Sequence, residues 1–421
     1  MSHQNQFSKI SVIVFLFSII ISGISLISVV FPALISETVS ISELEKIGII
    51  QHEEDPYQMG PLAGLLILIN GGIFGIYFFK NKFPKKISTP FKKVATFQVS
   101  KKVTVLIIII ILSIYTIATI PEFEKDEEFE DFISMEKRLN ESIRDNRFTI
   151  EDVISGNQNY SIAEPHVKYS LLLISEKIFG DFRVIAFFAS VSLLLLTYLV
   201  TEAITKNRLA GLVSIILIIQ SNLFLSFDTS AVYSNFWILF YLLSLYLVVK
   251  IWFMSPVLLG VSIFCKMLTA IFTPMSIFFI LNSDISKNQK RIIISSMIIL
   301  LAVGGAIFLG IQESEKMTSF ETDRFWEGFT SFAFQMRLDS ITVLFLIPLI
   351  FGLFLSSKKF KHANSISILI TGILLSGPIL AGITDQTNQP YRFIPVIVFF
   401  AIGVGMLFPK IKQTWQKSKS L

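Results

Sequence analysis

KKVTVLIIIIILSIYTIATIPEFEKDEEFEDF, residues 101–132, is the stretch whose reading decides the fold. Its uncharged middle, Val103–Ile120, is long enough to cross the roughly 30 Å of bilayer hydrocarbon as a helix. Lys101 and Lys102 stand at one end of this run, and seven carboxylates follow the other: Glu122, Glu124, Asp126, Glu127, Glu128, Glu130 and Asp131. The acid cluster therefore belongs at one membrane surface. The lysine-rich segment before the run belongs at the other, because cytoplasmic loops collect Lys and Arg.

The rest of the chain agrees with a multi-span membrane protein. Hydrophobic residues make up 52% of the 421 positions and charged residues 16%, whereas a soluble globule carries about 25% charged residues. The net charge of +5 resides largely in lysines of short loops between apolar runs, which is a topology signal and excludes a nucleic-acid face. Cys265 is the single cysteine, so no disulfide forms within the chain and no cysteine-based metal site is available. The first run lacks a small-residue cleavage site and reads as a retained anchor.

Apolar runs of spanning length lie near 10–34, 61–79, 103–120, 184–204, 209–226, 232–253, 291–311, 339–356, 363–383 and 393–408. The loop 80–102 holds eight lysines (80, 82, 85, 86, 92, 93, 101 and 102) and no acid, which puts it inside. For Lys206, Arg208, Lys250, Lys287, Lys290, Arg291, Lys358, Lys359 and Lys361 to fall inside as well, the apolar region 255–281 must enter and return on one side. It is then a pair of short helices with its turn near Lys266–Thr269. Both termini come out cytoplasmic, and the Lys-, Ile- and Phe-rich composition fits the plasma membrane of a prokaryote. The expected fold is an all-α polytopic transmembrane bundle of about 10–12 helices with interfacial helices outside. Two parts are expected: an N-terminal hairpin with its basic loop, 1–102, and a module 103–421 bearing the external loop 121–183. Apolar spacing predicts amphipathic helices after the acid cluster and at 166–179. Asn140 and Asn159 head Asn-x-Ser triplets on that loop.

Several external residues have the chemistry for transfer from a lipid phosphate, which needs a base for the acceptor, cations for the departing phosphate and a greasy cleft. Asp126 and Glu127 are the base candidates; a solvated acidic face is the alternative use of such carboxylates. Lys266, inside an apolar segment, needs a partner, water or a phosphate; a structural pair with Asp228 would also satisfy it. His166, Lys168 and Tyr169 open a helix after Pro165 as candidate substrate contacts, with His166 and Lys168 expected to face the external cleft. Asp228 lies in a short external turn as a functional candidate or a helix cap. Tyr391 and Arg392 precede the last run, where an external arginine runs against the positive-inside trend and so is a candidate anion contact. The loop 312–338 gathers Phe320, Phe325, Trp326, Phe329, Phe332 and Phe334, suited to headgroup anchoring or to stacking on sugar rings. No zinc constellation is present with four histidines, while Asp126, Glu127 or Asp228 could hold a divalent cation.

Taken in order, Lys125–Asp126–Glu127, Glu164–Pro165–His166–Val167–Lys168–Tyr169, Phe179–Gly180–Asp181–Phe182–Arg183, the glycine-led Leu259–Gly260 segment ending in Lys266, and Tyr391–Arg392 resemble the multi-span glycosyltransferases of the C structural class. The nearest likeness is to the branch of protein O-mannosyltransferases and lipid A aminoarabinose transferases. The likeness covers about 103–408. It departs in lacking a second proline after 165, in the inverted Arg-Tyr order and in having no C-terminal soluble domain. The resemblance implies transfer of a sugar from a polyprenyl (dolichyl) phosphate donor to a glycan, lipid or protein acceptor outside, with inversion. Asp126, with Glu127, would be the general base, and Lys168, Lys266 and Arg392 would stabilise the leaving phosphate. A transporter or flippase would also use buried ionisable groups such as Lys266 and Asp228, and a non-catalytic scaffold is the third reading.

Overall fold

The computed structural model describes residues 7–31, 59–79, 97–125, 135–137, 166–311, 320–383 and 390–408. Among them every regular element is helical. Four helices are long and apolar enough to cross a membrane: Lys9–Val30, Lys101–Phe123, Arg183–Thr205 and Ala363–Ile383. The first has 22 residues, about 33 Å at 1.5 Å per residue. The α-helices in chain order are α1 (Lys9–Val30), α2 (Ala63–Phe79), α3 (Lys101–Thr119), α4 (His166–Phe179), α5 (Arg183–Thr205), α6 (Arg208–Ile219), α7 (Asn222–Ser226) and α8 (Phe236–Lys250). They continue as α9 (Ser255–Cys265), α10 (Thr273–Asn282), α11 (Lys287–Ile311), α12 (Thr322–Met336), α13 (Ser340–Ser356), α14 (Ala363–Ile383) and α15 (Ile394–Met406).

Small polar side chains fix how the apolar helices register, as expected where burial alone is non-directional. In α1 and α14 the Asn364 amide donates to Ser11 Oγ (2.9 Å), and Ser18 and Thr371 hydroxyls meet at 3.3 Å. Both pairs are 353 apart in sequence, so the two helices run parallel. Asn70 of α2 donates to the Leu344 carbonyl of α13 at 3.1 Å. The N-terminal pair thus shares its packing with the C-terminal helices. α15 forms the centre, with Val396, Val398, Phe399, Ala401 and Ile402 fully buried.

The region 255–281 is two short helices, as the loop charges required. α9 ends at Cys265, Lys266 takes an extended conformation (φ −161°, ψ 114°), a 3₁₀ turn covers Met267–Phe272, and α10 follows with Pro274 in its first turn, where a missing N–H costs nothing. Ser244 donates to Ser255 O and Ser262 to Trp237 O, an antiparallel register between α8 and α9. The run expected at 209–226 is interrupted, since α6 stops at Ile219 and Ser221 caps the short α7, its Oγ accepting from Phe224 N. The run expected from 232 begins as a helix only at Phe236.

The stretch read as an aromatic loop, 312–338, holds helix α12 in its described part. Phe329, Phe332, Ala333 and Met336 are buried at the spacing of one helical face, a period that the density of aromatics hid. α12 lies across one end of the bundle. Glu321 N donates to Gly382 O at the end of α14, and Arg337 donates to Val29 O at the matching end of the parallel α1. Pro378 wedges α14 there, and Gly328 seats α12 against it; a Cβ at Gly328 would stand 2.6 Å from Pro378 Cα.

The opposite end carries the Arg208–Glu202 and Lys361–Asp284 ion pairs. Beside the latter, His362 stacks on Phe279 with centroids 4.4 Å apart. Burial pushes its imidazole down to about 4. A folded value below the ordinary one contributes stability in full above the unfolded pKa near 6.5, and that stability is lost as pH falls toward 4. The thermal midpoint is therefore expected to drop between pH 6.5 and 5, and His362→Gln to remove part of that drop in a pH series of melting curves.

Candidate functional site

The end of the bundle crossed by α12 collects most of the residues singled out in the sequence. The antiparallel register of α8 and α9 sets the geometry. Ser262 is bonded to Trp237, so Lys266, four residues further along, comes opposite Tyr233. The Tyr233 ring stacks on Tyr391 (centroids 4.4 Å, planes 16° apart), and Phe227 closes on both rings edge to face at 5.7 and 6.1 Å. Lys266 Nζ donates to Tyr391 Oη and lies 5.6 Å from the Trp237 ring centroid. Arg392, only 8% exposed, donates through Nε to the same phenol oxygen at 3.5 Å. Two basic side chains thus converge on one aromatic seat, and Lys266 forms no ion pair among the described residues. Of the alternatives for Lys266, the pair with Asp228 is not formed: its side chain reaches Tyr391 from an extended backbone.

Lys168, in the first turn of α4, donates to the carbonyl of Val232, next to Tyr233, with its Nζ 5.9 Å from the Tyr169 ring. Packing of α4 on α9 brings these residues beside the Lys266 break. His166 opens α4; its side chain lies outside the described residues, as do Asp126, Glu127, Asn140 and Asn159.

Asp228 belongs to the same loop as Tyr233 and is 1% exposed. It caps no helix, because the helix after it begins at Phe236. Its Oδ2 accepts from Tyr115 Oη at 2.5 Å, and its carbonyl accepts from Ser190 Oγ at 2.7 Å. Burial pushes the carboxyl up to about 7, opposed by the Tyr115 hydrogen bond. Asp228 Oδ1, Asn235 Oδ1 and Trp237 Nε1 are buried without a hydrogen-bond partner among the described residues. The loop and the first turn of α8 thus bring buried polar atoms of Asp228, Asn235 and Trp237 together, an arrangement able to receive a polar ligand. Tyr115→Phe, which removes only the donor to Asp228, is expected to lower stability by about 1–3 kcal/mol in thermal unfolding.

Sequence reasoning passed over Tyr115, Tyr233 and Trp237. Tyr115 alone had a signal, a hydroxyl inside the isoleucine run of α3, since a buried phenol seeks a partner. Among the described residues no group of three His, Cys, Asp or Glu is disposed to hold a metal. Comparison of the chain with protein-family models, with curated proteins and with solved structures finds no match.

Proposed function

We propose that the protein is a polytopic membrane glycosyltransferase of the C structural type, moving a sugar from a polyprenyl phosphate to an acceptor on the extracytoplasmic face with inversion. The observation that supports this most is the convergence of Lys266 and Arg392 on Tyr391, with Lys168 bonded to the loop that carries Tyr233. Cations gathered in an apolar surround, one of them without a counter-ion among the described residues, suit an anion arriving from the lipid side. A phosphomonoester leaving group is such an anion, and fixed donors aimed at developing charge are worth far more there than in water.

In this reading the polyprenyl chain lies along the lipid-facing helices and its phosphate meets Lys266, Arg392 and Lys168. The acceptor hydroxyl loses its proton to Asp126 or Glu127 as it attacks the anomeric carbon from the face opposite the phosphate. The anomeric C–O bond breaks with its electron pair passing to the phosphate, and the configuration inverts. Lys125, the residue before Asp126 in the sequence, is held by Arg183 at the corner between α3 and α5, and in this reading the base follows directly after it.

Purified protein in liposomes, supplied with polyprenyl-phosphate sugars labelled in the sugar, tests the reading. Time-dependent appearance of free polyprenyl phosphate together with a glycosylated or hydrolysed product is the expected result. Folded protein that consumes no donor but moves labelled lipid or solute between compartments would replace this reading with a transporter, which buried Lys266 and Asp228 would also serve.

A further inference from the structure

We infer that Arg183 is a positioning residue for the transfer reaction, holding the exit of the acid-bearing segment in fixed relation to the helix that carries Lys168; the inference rests on the function proposed above. The guanidinium donates to three main-chain carbonyls of another element: Glu122 O (3.2 Å), Lys125 O (2.6 Å) and Phe123 O. Its ion pair with Asp181 (3.3 Å) and its place 5.5 Å from the Phe123 ring centroid leave it one orientation. Helix ends leave carbonyls unpaired. Here the carbonyls of Phe123 and Lys125, and that of Glu122, which also accepts from Lys125 N, share one planar donor at the end of the 3₁₀ turn Ile120–Glu124 that prolongs α3, a geometry that one ammonium cannot reproduce.

The corner that presents Arg183 is itself closely built. Gly180, with φ +71°, ends α4 in the left-handed region that glycine enters without strain. Ser175 Oγ donates to Asp181 O (2.6 Å) and accepts from Ile185 N (3.0 Å), while Asp181 Oδ1 accepts from Arg183 N (2.7 Å). α4, α5 and the end of α3 are thereby locked at one point. Lys168 lies at the other end of α4, and Asp126 follows Lys125 directly. A general base works only at hydrogen-bond reach of its proton, and Arg183 ties the carbonyls immediately before Asp126 in sequence to the corner from which α4 runs to Lys168. The residue makes no contact with Lys266, Arg392 or Tyr391 among its described contacts and is no part of the reacting set.

The test pairs two readouts on the full-length protein in nanodiscs, comparing wild type with Arg183→Lys and Arg183→Gln. Hydrogen exchange of the peptide covering 120–125 is expected to quicken about tenfold in both variants, with peptides of α8 and α15 unchanged. Turnover of the donor is expected to fall about 10- to 100-fold in kcat, with KM for the donor within about threefold, as misplacement of a base by an ångström predicts. Unchanged exchange at 120–125 would overturn the clamp whatever the activity. Faster exchange with unaltered kcat would overturn the positioning role. A wild-type protein that consumes no donor would overturn the functional reading and the positioning role with it, while the exchange result would still report whether Arg183 holds the corner.

Discussion

Lys266→Met is expected to give a protein that is more stable than wild type and close to inactive. The lysine sits at a break between two apolar helices, bonded to Tyr391 and facing Trp237, with no ion pair among the described residues. A cation in such a place costs a few kcal/mol. Methionine keeps most of the stem without the charge, so a gain of about 1–3 kcal/mol in unfolding free energy is expected. Transfer should fall by about 10²- to 10³-fold, the usual loss when one fixed donor to a developing anion is removed. A protein retains such a residue at a stability cost when the residue works. Melting temperature and donor turnover measured on the same preparation decide it: a variant that is destabilised and fully active would make Lys266 a structural contact with Tyr391 and nothing more. Lys266→Arg separates charge from shape, since it keeps the cation while the larger fork must displace Tyr391 or Trp237.

Asp126→Asn is expected to lower transfer about 10²- to 10⁴-fold, the contribution of a placed general base, with the melting temperature unmoved. Glu127→Gln should lose less if its neighbour carries the proton, and more if the roles are exchanged. The amides keep the size and shape but exchange one acceptor oxygen for an NH₂ donor and cannot take up the proton, so the comparison tests the carboxylate as base. Donor hydrolysis and acceptor glycosylation must be followed separately, because a variant that still releases polyprenyl phosphate to water retains its cation site and has lost only acceptor activation. If both amides stay within tenfold of wild type, the base has to be sought at Asp228, whose loop also carries Tyr233.

Much of this architecture was legible in the chain. The apolar runs gave the helices, and the positive-inside count required 255–281 to turn back at Lys266 before any helix packing was known. Period-3.6 spacing found α4 but not α12, because in 312–338 aromatics occupy both the buried face and the exposed one; Phe329 is buried while Trp326 is 44% exposed. The site was half legible. A lysine inside an apolar run and an arginine on the wrong side of the charge pattern are visible as violations of a solvation rule. Their partners are not, since a phenol such as Tyr391 looks like any other interfacial aromatic until another helix is placed against it.

The sequence by itself determined which segments leave water and which keep their charges, because transfer free energy depends on the residues in a run and not on their neighbours in space. Only the tertiary structure decided that Lys266 reaches Tyr391 and not Asp228, that Asp228 is held by Tyr115, and that Arg183 gathers the carbonyls at the end of α3. These contacts join residues 125, 113 and about 60 positions apart. Their partners are selected by the register of packed helices, which small hydroxyl and amide groups set pair by pair and no local pattern encodes.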